Sequence, residues 1–386
     1  MIRTGDKKRL IHLAFSLPLR CFLSVRHLSC RKPYAFRLKT FLFTLICASK
    51  KFKGEIIMKT RRILSLALAL ILILTTAMFA SCGKQENSGN QVDDGKYTIG
   101  IVQLVQHPAL DSATQGFRDA LTEELGAENL EFLEQNANGE PTVCTTIVND
   151  FVTKNVDLIM ANATAALQAA ANGTTTIPVL GTSVTDYATA LEIDDFTGVV
   201  GTNVSGTSDL APLDAQAEML MELFPDAEKV ALLYCSAEPN SKYQADTIRV
   251  YFEDAGLTCE EFTFADSNDV AAVSAAAAAA ADVIYVPTDN TAASCTEAIN
   301  GAVLPTGTPI VAGEEGICAG CGVATLSISY YDLGVKTGKM AAQILKGEVK
   351  VEETPVATAD TATKKYNPVN CEALGIEAPE DYIAIE

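Results

Sequence analysis

Short apolar runs that end in small polar residues recur along this chain, and each hands over to a stretch with apolar positions at helical spacing. Asp157-Leu-Ile-Met-Ala-Asn-Ala-Thr164 leads into an Ala-rich segment and then Ile177-Pro-Val-Leu-Gly-Thr-Ser183. Asp282-Val-Ile-Tyr-Val-Pro-Thr-Asp-Asn-Thr291 leads into a second such segment and then Thr308-Pro-Ile-Val-Ala-Gly-Glu-Glu-Gly316. The copies lie 125 positions apart at Asp157 and Asp282, and 131 apart at Pro178 and Pro309. A short β-rich run that feeds a helix and then a second run is the pattern of parallel strands whose ends form a ligand crevice.

The rest of the chain fills in the same alternation. Tyr97–Leu104 predicts a strand, and the helix after it runs through Leu125 with Ala113, Phe117, Ala120 and Leu121 on one face. Strand 129–136, helix 141–154, and strands 157–163 and 178–183 complete a first lobe. Phe196–Val204 reads as a strand making the first crossing to a second lobe. There the series restarts with helices 210–224, 240–255, 271–281 and 292–302 between strands 229–235, 257–264, 283–286 and 310–312. Gly322–Ser329 then crosses back, 331–346 is an amphipathic helix, and a return segment begins at Glu352. The expected fold is α/β, with two doubly wound parallel-sheet lobes joined by a multi-strand hinge. Lobe one takes residues 97–202 with 327–352, and lobe two takes 203–326 with 353–386. A guest is expected in the cleft between the facing strand ends, held when the hinge closes.

Charge divides the chain unevenly. Residues 1–81 hold 16 of the 29 Lys and Arg but only 2 of the 48 Asp and Glu, so the remainder carries 13 basic against 46 acidic side chains. Nucleic acid is a poor partner for such a surface. Residues 1–57 are basic and without repeating pattern, and Lys53-Gly54-Glu55 can be encoded by a purine-rich stretch placed as a ribosome-binding site would be before Met58; they read as an untranslated leader. From Met58, Lys59, Arg61 and Arg62 precede an apolar run and then Ala80-Ser81-Cys82, so 58–81 reads as a secretory signal. Its end resembles a bacterial lipobox, which makes Cys82 the lipidation site. The alternative for Ile63–Ala80 is an uncleaved membrane anchor. Residues 82–96 are polar and read as a flexible tether. Seven cysteines follow Cys82, too irregular for a disulfide framework, and Cys318-Ala-Gly-Cys321 reads as a local disulfide or two free thiols ahead of metal.

Several motifs in order carry a resemblance: Gly100-Ile-Val-Gln103 with His107-Pro-Ala-Leu-Asp111, Gly206-Thr-Ser-Asp-Leu210, Asn240-Ser-Lys-Tyr-Gln244, Pro287-Thr-Asp-Asn-Thr291, Gly313-Glu-Glu-Gly316 and Tyr330-Tyr-Asp-Leu-Gly334. Together they resemble the ABC-transporter substrate-binding family that includes tryptophan- and tyrosine-binding lipoproteins, over about 97–347. The resemblance implies a type I periplasmic-binding-protein fold and an extracytoplasmic, lipid-anchored receptor. It further implies delivery of a small molecule, often an aromatic amino acid, to a membrane permease driven by a cytoplasmic ATPase.

An amino acid presents a carboxylate, which suits helix N-termini and hydroxyls, and an ammonium, which suits carboxylates and carbonyls. Thr164, Thr182 and Ser183 at the strand ends of lobe one are the candidate carboxylate binders. In lobe two Asp289 is the first candidate for the ammonium and Glu314 the second, with Asn290 beside them. Asn240 and Ser241 start a helix that closes over the guest; Gln103 and His107 lie at the end of the first strand. Tyr187, Tyr243 and Tyr330 are candidates for an aromatic wall, of which Tyr330 is retained. Helix capping is the alternative role for the Ser, Thr, Asp and Asn residues. No cofactor, metal or nucleic acid is expected, and the protein is expected to be a monomer. With a single His after the signal, no G-x-S-x-G, no P-loop and no GxGxxG, an enzyme has no support. The readings kept open beside an amino-acid receptor are a sugar or nucleoside receptor of the same fold and an input module for a membrane kinase.

Overall fold

The two copies of the strand pattern fold alike, down to their leading aspartates. The computed structural model describes residues 95–385; the expected leader, signal segment, Cys82 and most of the tether lie outside the described residues. In the first half, strands β1 (Tyr97–Gln103), β2 (Leu130–Asn136), β3 (Leu158–Asn162), β4 (Val179–Val184) and β5 (Val204–Ser208) alternate with helices α1 (Pro108–Leu125), α2 (Pro141–Lys154), α3 (Thr164–Gly173) and α4 (Tyr187–Leu191). The second half runs α5 (Leu213–Leu223), β6 (Lys229–Cys235), α6 (Pro239–Asp254), β7 (Thr258–Phe264), α7 (Val270–Ala280), β8 (Val283–Val286), α8 (Asn290–Ser294), α9 (Thr296–Val303), β9 (Ile310–Ala312), α10 (Glu315–Cys321) and β10 (Ala324–Ile328). It ends with α11 (Tyr330–Leu345), β11 (Ala357–Thr358), β12 (Ala362–Tyr366), α12 (Pro368–Leu374) and β13 (Ile383–Ala384).

One sheet has six strands in the order β11-β5-β4-β3-β1-β2, the other seven in the order β13-β12-β10-β9-β8-β6-β7. The shared core order is thus β2-β1-β3-β4-β5 in one and β7-β6-β8-β9-β10 in the other. Pairing is parallel throughout except between β10 and β12. The side chain of Asp157 accepts from Thr98 N at 2.7 Å, and that of Asp282 from Lys229 N at 2.9 Å, so each aspartate ties its strand to the start of the central one. Both faces of each sheet are covered. Helices α2, α3 and α4 cover one face of the first sheet, and α1 with α11 cover the other. On the second sheet α5, α6 and α12 lie opposite α7, α9 and α10. Near-continuous burial along β3, β4, β8 and β9 follows from that double covering.

Sheet membership moves the lobe changes away from the expected ones. Phe196–Asn203 is not a strand, because Gly198 and Gly201 stand at φ +95° and +77°. The strand is β5, and it belongs to the first sheet, so the first crossing falls after Ser208 and not at 202. Gly322–Ser329 does not cross either: β10 pairs in the second sheet and the crossing is at Ser329. The return is at 359–361, since β11 still pairs with β5 and β12 pairs with β10. The helix expected at 292–302 is broken at Cys295 into α8 and α9, and α10 occupies a stretch to which the sequence pattern assigns no element.

The close contact of α1 with α11 rests on glycine. A Cβ on Gly334 would overlap the backbone carbonyl of Ala113, and one on Gly116 that of Tyr331. Among the described residues all seven cysteines are free thiols; Cys318 and Cys321 are buried in α10, and Cys321 Sγ donates to Ile317 O. No cluster of three or more His, Cys, Asp or Glu among the described residues could hold a metal ion. No helix among them is long and apolar enough to cross a membrane.

Candidate functional site

The ends of β1, β4, β6, β8 and β9 point toward one narrow space between the lobes. In lobe one, β4 slips its register against β5 between Gly181 and Val184, and within that slip Ser183 sits at φ +55°. Irregularities of this kind re-aim a side chain away from the ladder. Ser183 is buried, and its Oγ has no hydrogen-bond partner within the protein. His107 caps α1 in extended backbone without a capping bond from its side chain, and Pro108 follows it at the first helical position. Its Nε2 lies 3.3 Å from Asn290 Oδ1 across the cleft, and its Nδ1 is buried without a partner. Burial holds the imidazole below its usual pKa.

Lobe two contributes helix starts. Asp289 caps α8, accepting from Ala292 N and Cys235 N, each at 2.7 Å. Glu314 caps α10, accepting from Gly316 N at 2.7 Å and from Ile317 N. Burial, with Glu238 nearby, pushes the Asp289 carboxyl up to about 8, and burial pushes Glu314 up to about 7, against the backbone N–H bonds that favour the anions. The hinge contributes a third carboxylate. Asp209 follows β5 at the first crossing, is buried, and accepts from Thr185 Oγ1 and Tyr330 Oη, both at 2.9 Å. Burial raises its pKa.

His107, Leu110, Ser183, Thr185, Asp209, Asn240, Thr288, Asp289, Asn290, Ala293, Glu314 and Tyr330 line the space. It amounts to about 270 Å³ and is narrow, with the lobes drawn tightly together. These lining residues include three carboxylates and neither Lys nor Arg. Contacts bridge the cleft beside it: Gln244 Nε2 donates to Thr185 Oγ1 at 3.4 Å, and His107 meets Asn290.

Seven residues singled out from the sequence therefore meet here: His107, Ser183, Asn240, Asp289, Asn290, Glu314 and Tyr330. Four do not line the space, for identifiable reasons. Gln103 Nε2 donates to Asp111 Oδ1 at 2.7 Å and its Oε1 accepts from Thr114 Oγ1 at 2.7 Å, so it holds α1 to β1. Thr182 accepts from Thr207 Oγ1 inside the sheet. Thr164 is buried as the first residue of α3, and Ser241 Oγ donates to Thr288 O at 3.4 Å. Tyr187 Oη donates to Thr207 O in the core of lobe one, leaving Tyr330 as the tyrosine of the site. Sequence reasoning missed Asp209, Thr185 and Thr288. Asp209 had a signal in Thr207-Ser-Asp209, an acid directly after hydroxyl residues, but no apolar run marks β5 before it.

Two doubly wound lobes threaded by three crossings, with a buried polar site where their strand ends face, define the type I periplasmic-binding-protein class. Comparison with known proteins gives the family. Residues 98–385 match the family model described as ABC transporter substrate binding protein. The tyrosine-binding protein of Clostridioides difficile (strain R20291) is 34% identical over 327 residues, which covers 83% of this chain and 94% of that protein. Among solved structures, an ABC domain in complex with L-Trp from Streptococcus pneumonia is 34% identical with a TM-score of 0.71, covering 74% of this chain and 96% of that one. The ligand-free, open structure of a substrate-binding protein with adhesive properties from Clostridium difficile is 36% identical with a TM-score of 0.59, covering 75% and 99%. The chain belongs to the ABC transporter substrate-binding protein family. It is a binding protein and not an enzyme, and substrate-binding proteins of ABC importers work outside the cytoplasm.

Proposed function

We propose that this protein captures an α-amino acid between its lobes and passes it to an ABC permease powered by a cytoplasmic ATPase. The observation that carries this reading is the mismatch of hydrogen-bonding groups in the closed cleft. Three buried carboxylates gather with neither Lys nor Arg among the lining residues, while Ser183 Oγ and His107 Nδ1 lack partners. Buried charge and buried polar atoms of this kind call for a guest that completes them.

An ammonium answers the carboxylates. Asp289 and Glu314 each face a helix start, whose N–H groups and dipole already offset their charge. Asp209 accepts from two neutral hydroxyls and caps no helix, so it is the least compensated of the three and replaces Asp289 as our first choice for the ammonium. Ser183 Oγ is the donor for the guest carboxylate. Asn240 and Asn290 sit at the rim, and Leu110, Ala293 and Tyr330 supply apolar contact to the side chain. The relatives named for tyrosine and solved with L-Trp support an aromatic amino acid. Closure by the hinge is supported by the better superposition on the L-Trp complex than on the ligand-free open relative, at nearly equal identity. The eleven residues picked from sequence keep their places in this reading only where they line the cleft; the other four hold the helices and strands that frame it.

The chain contains no Trp, so binding of free L-tryptophan is visible by its own fluorescence without protein background. L-Tyrosine, other amino acids, sugars and nucleosides are compared by thermal shift. Stabilisation by sugars with none by any amino acid overturns the ligand class. Anchoring through Cys82 completes the proposal: the protein should partition into detergent from native membranes, and Cys82→Ala should release it. A monomer in solution is expected from the single-chain site.

A further inference from the structure

We propose that Glu238 and Asn290 lock His107 as the neutral ring with hydrogen on Nε2, so that its bare Nδ1 accepts a hydrogen from the guest. This rests on the receptor reading above and names a specificity device within it.

The argument starts at a group whose role is fixed. An ionised carboxylate only accepts hydrogen bonds. Glu238 Oε2 takes Asn290 Nδ2 at 2.7 Å and Asn290 N at 3.0 Å, while Oε1 takes Thr291 N at 2.8 Å and Thr291 Oγ1 at 2.7 Å. The amide of Asn290 therefore cannot be reversed without setting oxygen against oxygen. Its Oδ1 is the end that faces His107 Nε2 at 3.3 Å, and an amide oxygen also only accepts, so Nε2 carries the hydrogen. Burial disfavours the charged ring, which leaves Nδ1 with a free lone pair. Nothing in the protein meets it: Nδ1 is buried without a partner. Of the hydroxyls that line the space, Thr185 and Tyr330 are committed to Asp209, Ser183 Oγ makes no bond to it, and Asp289 and Glu314 accept from backbone N–H groups.

The consequence is selection by donor. A guest with an N–H at this point completes Nδ1, whereas one without leaves a buried acceptor unpaired, a penalty that discriminates more sharply than a mismatch of apolar shape. In an α-amino acid the ammonium has three hydrogens, enough for Asp209 and for Nδ1 together.

His107 is the one histidine after His27, so a chain from Gly83 onward, which holds the whole compact unit Val92–Glu386, gives a single ring signal when labelled with ¹⁵N-histidine. L-Tyrosine and L-tryptophan are the probes, with binding measured by calorimetry on the same samples. The expected bound spectrum has protonated Nε2 and unprotonated Nδ1, with the Nδ1 resonance moving upfield as the guest is added. Glu238→Gln should weaken binding about tenfold or more and mix the ring tautomers. Should Glu238→Gln fold poorly, His107→Gln serves instead: it keeps a donor for Asn290, lacks the second nitrogen, and should lose affinity to the same extent. A bound ring protonated at Nδ1, or an Nδ1 resonance that does not move on binding, overturns this inference and leaves the receptor reading intact. Failure of both amino acids to bind removes the receptor reading and this inference with it.

Discussion

Replacing Asp209 by Asn separates charge from shape at the point where the proposed ammonium sits. Asparagine keeps an oxygen for Thr185 Oγ1, and its amide can donate to Tyr330 Oη, which turns from donor to acceptor, so both 2.9 Å contacts survive in altered polarity. What disappears is the anion. Removing one partner of a buried, hydrogen-bonded charge pair costs about 2 to 5 kcal/mol in affinity. Asp289 and Glu314 remain in the cleft and can ionise against the guest's ammonium, so the lower part of that range applies, about 2 to 3 kcal/mol or a 30- to 150-fold rise in Kd. Calorimetry with L-tyrosine and with its analogue lacking the amino group measures this directly. Asp209→Asn should weaken the amino acid by that factor and leave the weak binding of the analogue nearly unchanged. The unfolding midpoint without guest should hold or rise, because burial raises the carboxyl's pKa in the folded protein and the anion is therefore a burden on it at neutral pH. Equal weakening of both compounds, or an amino-acid affinity within about threefold of the parent, would refute the assignment.

Three further outcomes follow from the same geometry. Ser183→Ala removes the one unpaired hydroxyl aimed at the guest and should raise the Kd for an amino acid about tenfold or more, with little change in the guest-free unfolding midpoint; an unchanged Kd would clear Ser183 of any part in binding. Glu314 has its folded pKa raised to about 7 by burial, so its contribution to stability is full below the ordinary carboxylate range and is lost as pH rises through about 7. Guest-free protein should accordingly resist urea better at pH 5 than at pH 8, and Glu314→Gln should flatten that difference. Gly334→Ala sets a methyl group against the Ala113 carbonyl, which overpacking puts at about 1 to 3 kcal/mol of stability, seen as a midpoint several degrees lower; a midpoint unmoved would mean that α1 and α11 are free to slide apart.

The elements that the sequence displayed most clearly were those with a strong apolar period and a decisive boundary. The helix expected at 141–154 is α2 to the residue, bounded by Pro141 at its start and by Asn155 in the left-handed region at its end. The duplicated strands around Asp157 and Asp282 were visible because both faces of each sheet are covered, which makes the strands uniformly apolar. β5 escaped notice for the opposite reason: Val204-Ser-Gly-Thr-Ser208 is small and hydroxyl-rich, and Gly206 stands at φ +142° with Gly181 pressed against it. The apolar content of 196–200 suggested a strand that Gly198 within it and Gly201 after it do not permit. Missing β5 displaced the crossing, and with the crossing went Asp209. The cap positions tell a related story. Asp289 and Glu314 were legible as polar residues at strand ends, yet both serve as helix caps and cleft-lining groups at once, a double role that only the packed lobes reveal. Ser183 was legible as a residue type; its unusual backbone angle, which turns it out of the ladder, was not.

The late position of α11 has a consequence for how the molecule is made. One face of the first sheet is sealed by this helix, which lies in sequence after nearly all of the second lobe. As residues are released in order, the early strands can pair and still leave Phe117 and Leu121 uncovered until Met340 and Ala341 arrive. Neither half can be excised as a continuous fragment with its interior complete, and a chain cut short near residue 320 should be a ready target for proteases and for self-association through that bare surface. Maturation is thus all or nothing across some 250 residues, a demand that falls on whatever machinery exports and shelters the polypeptide before its last long helix docks.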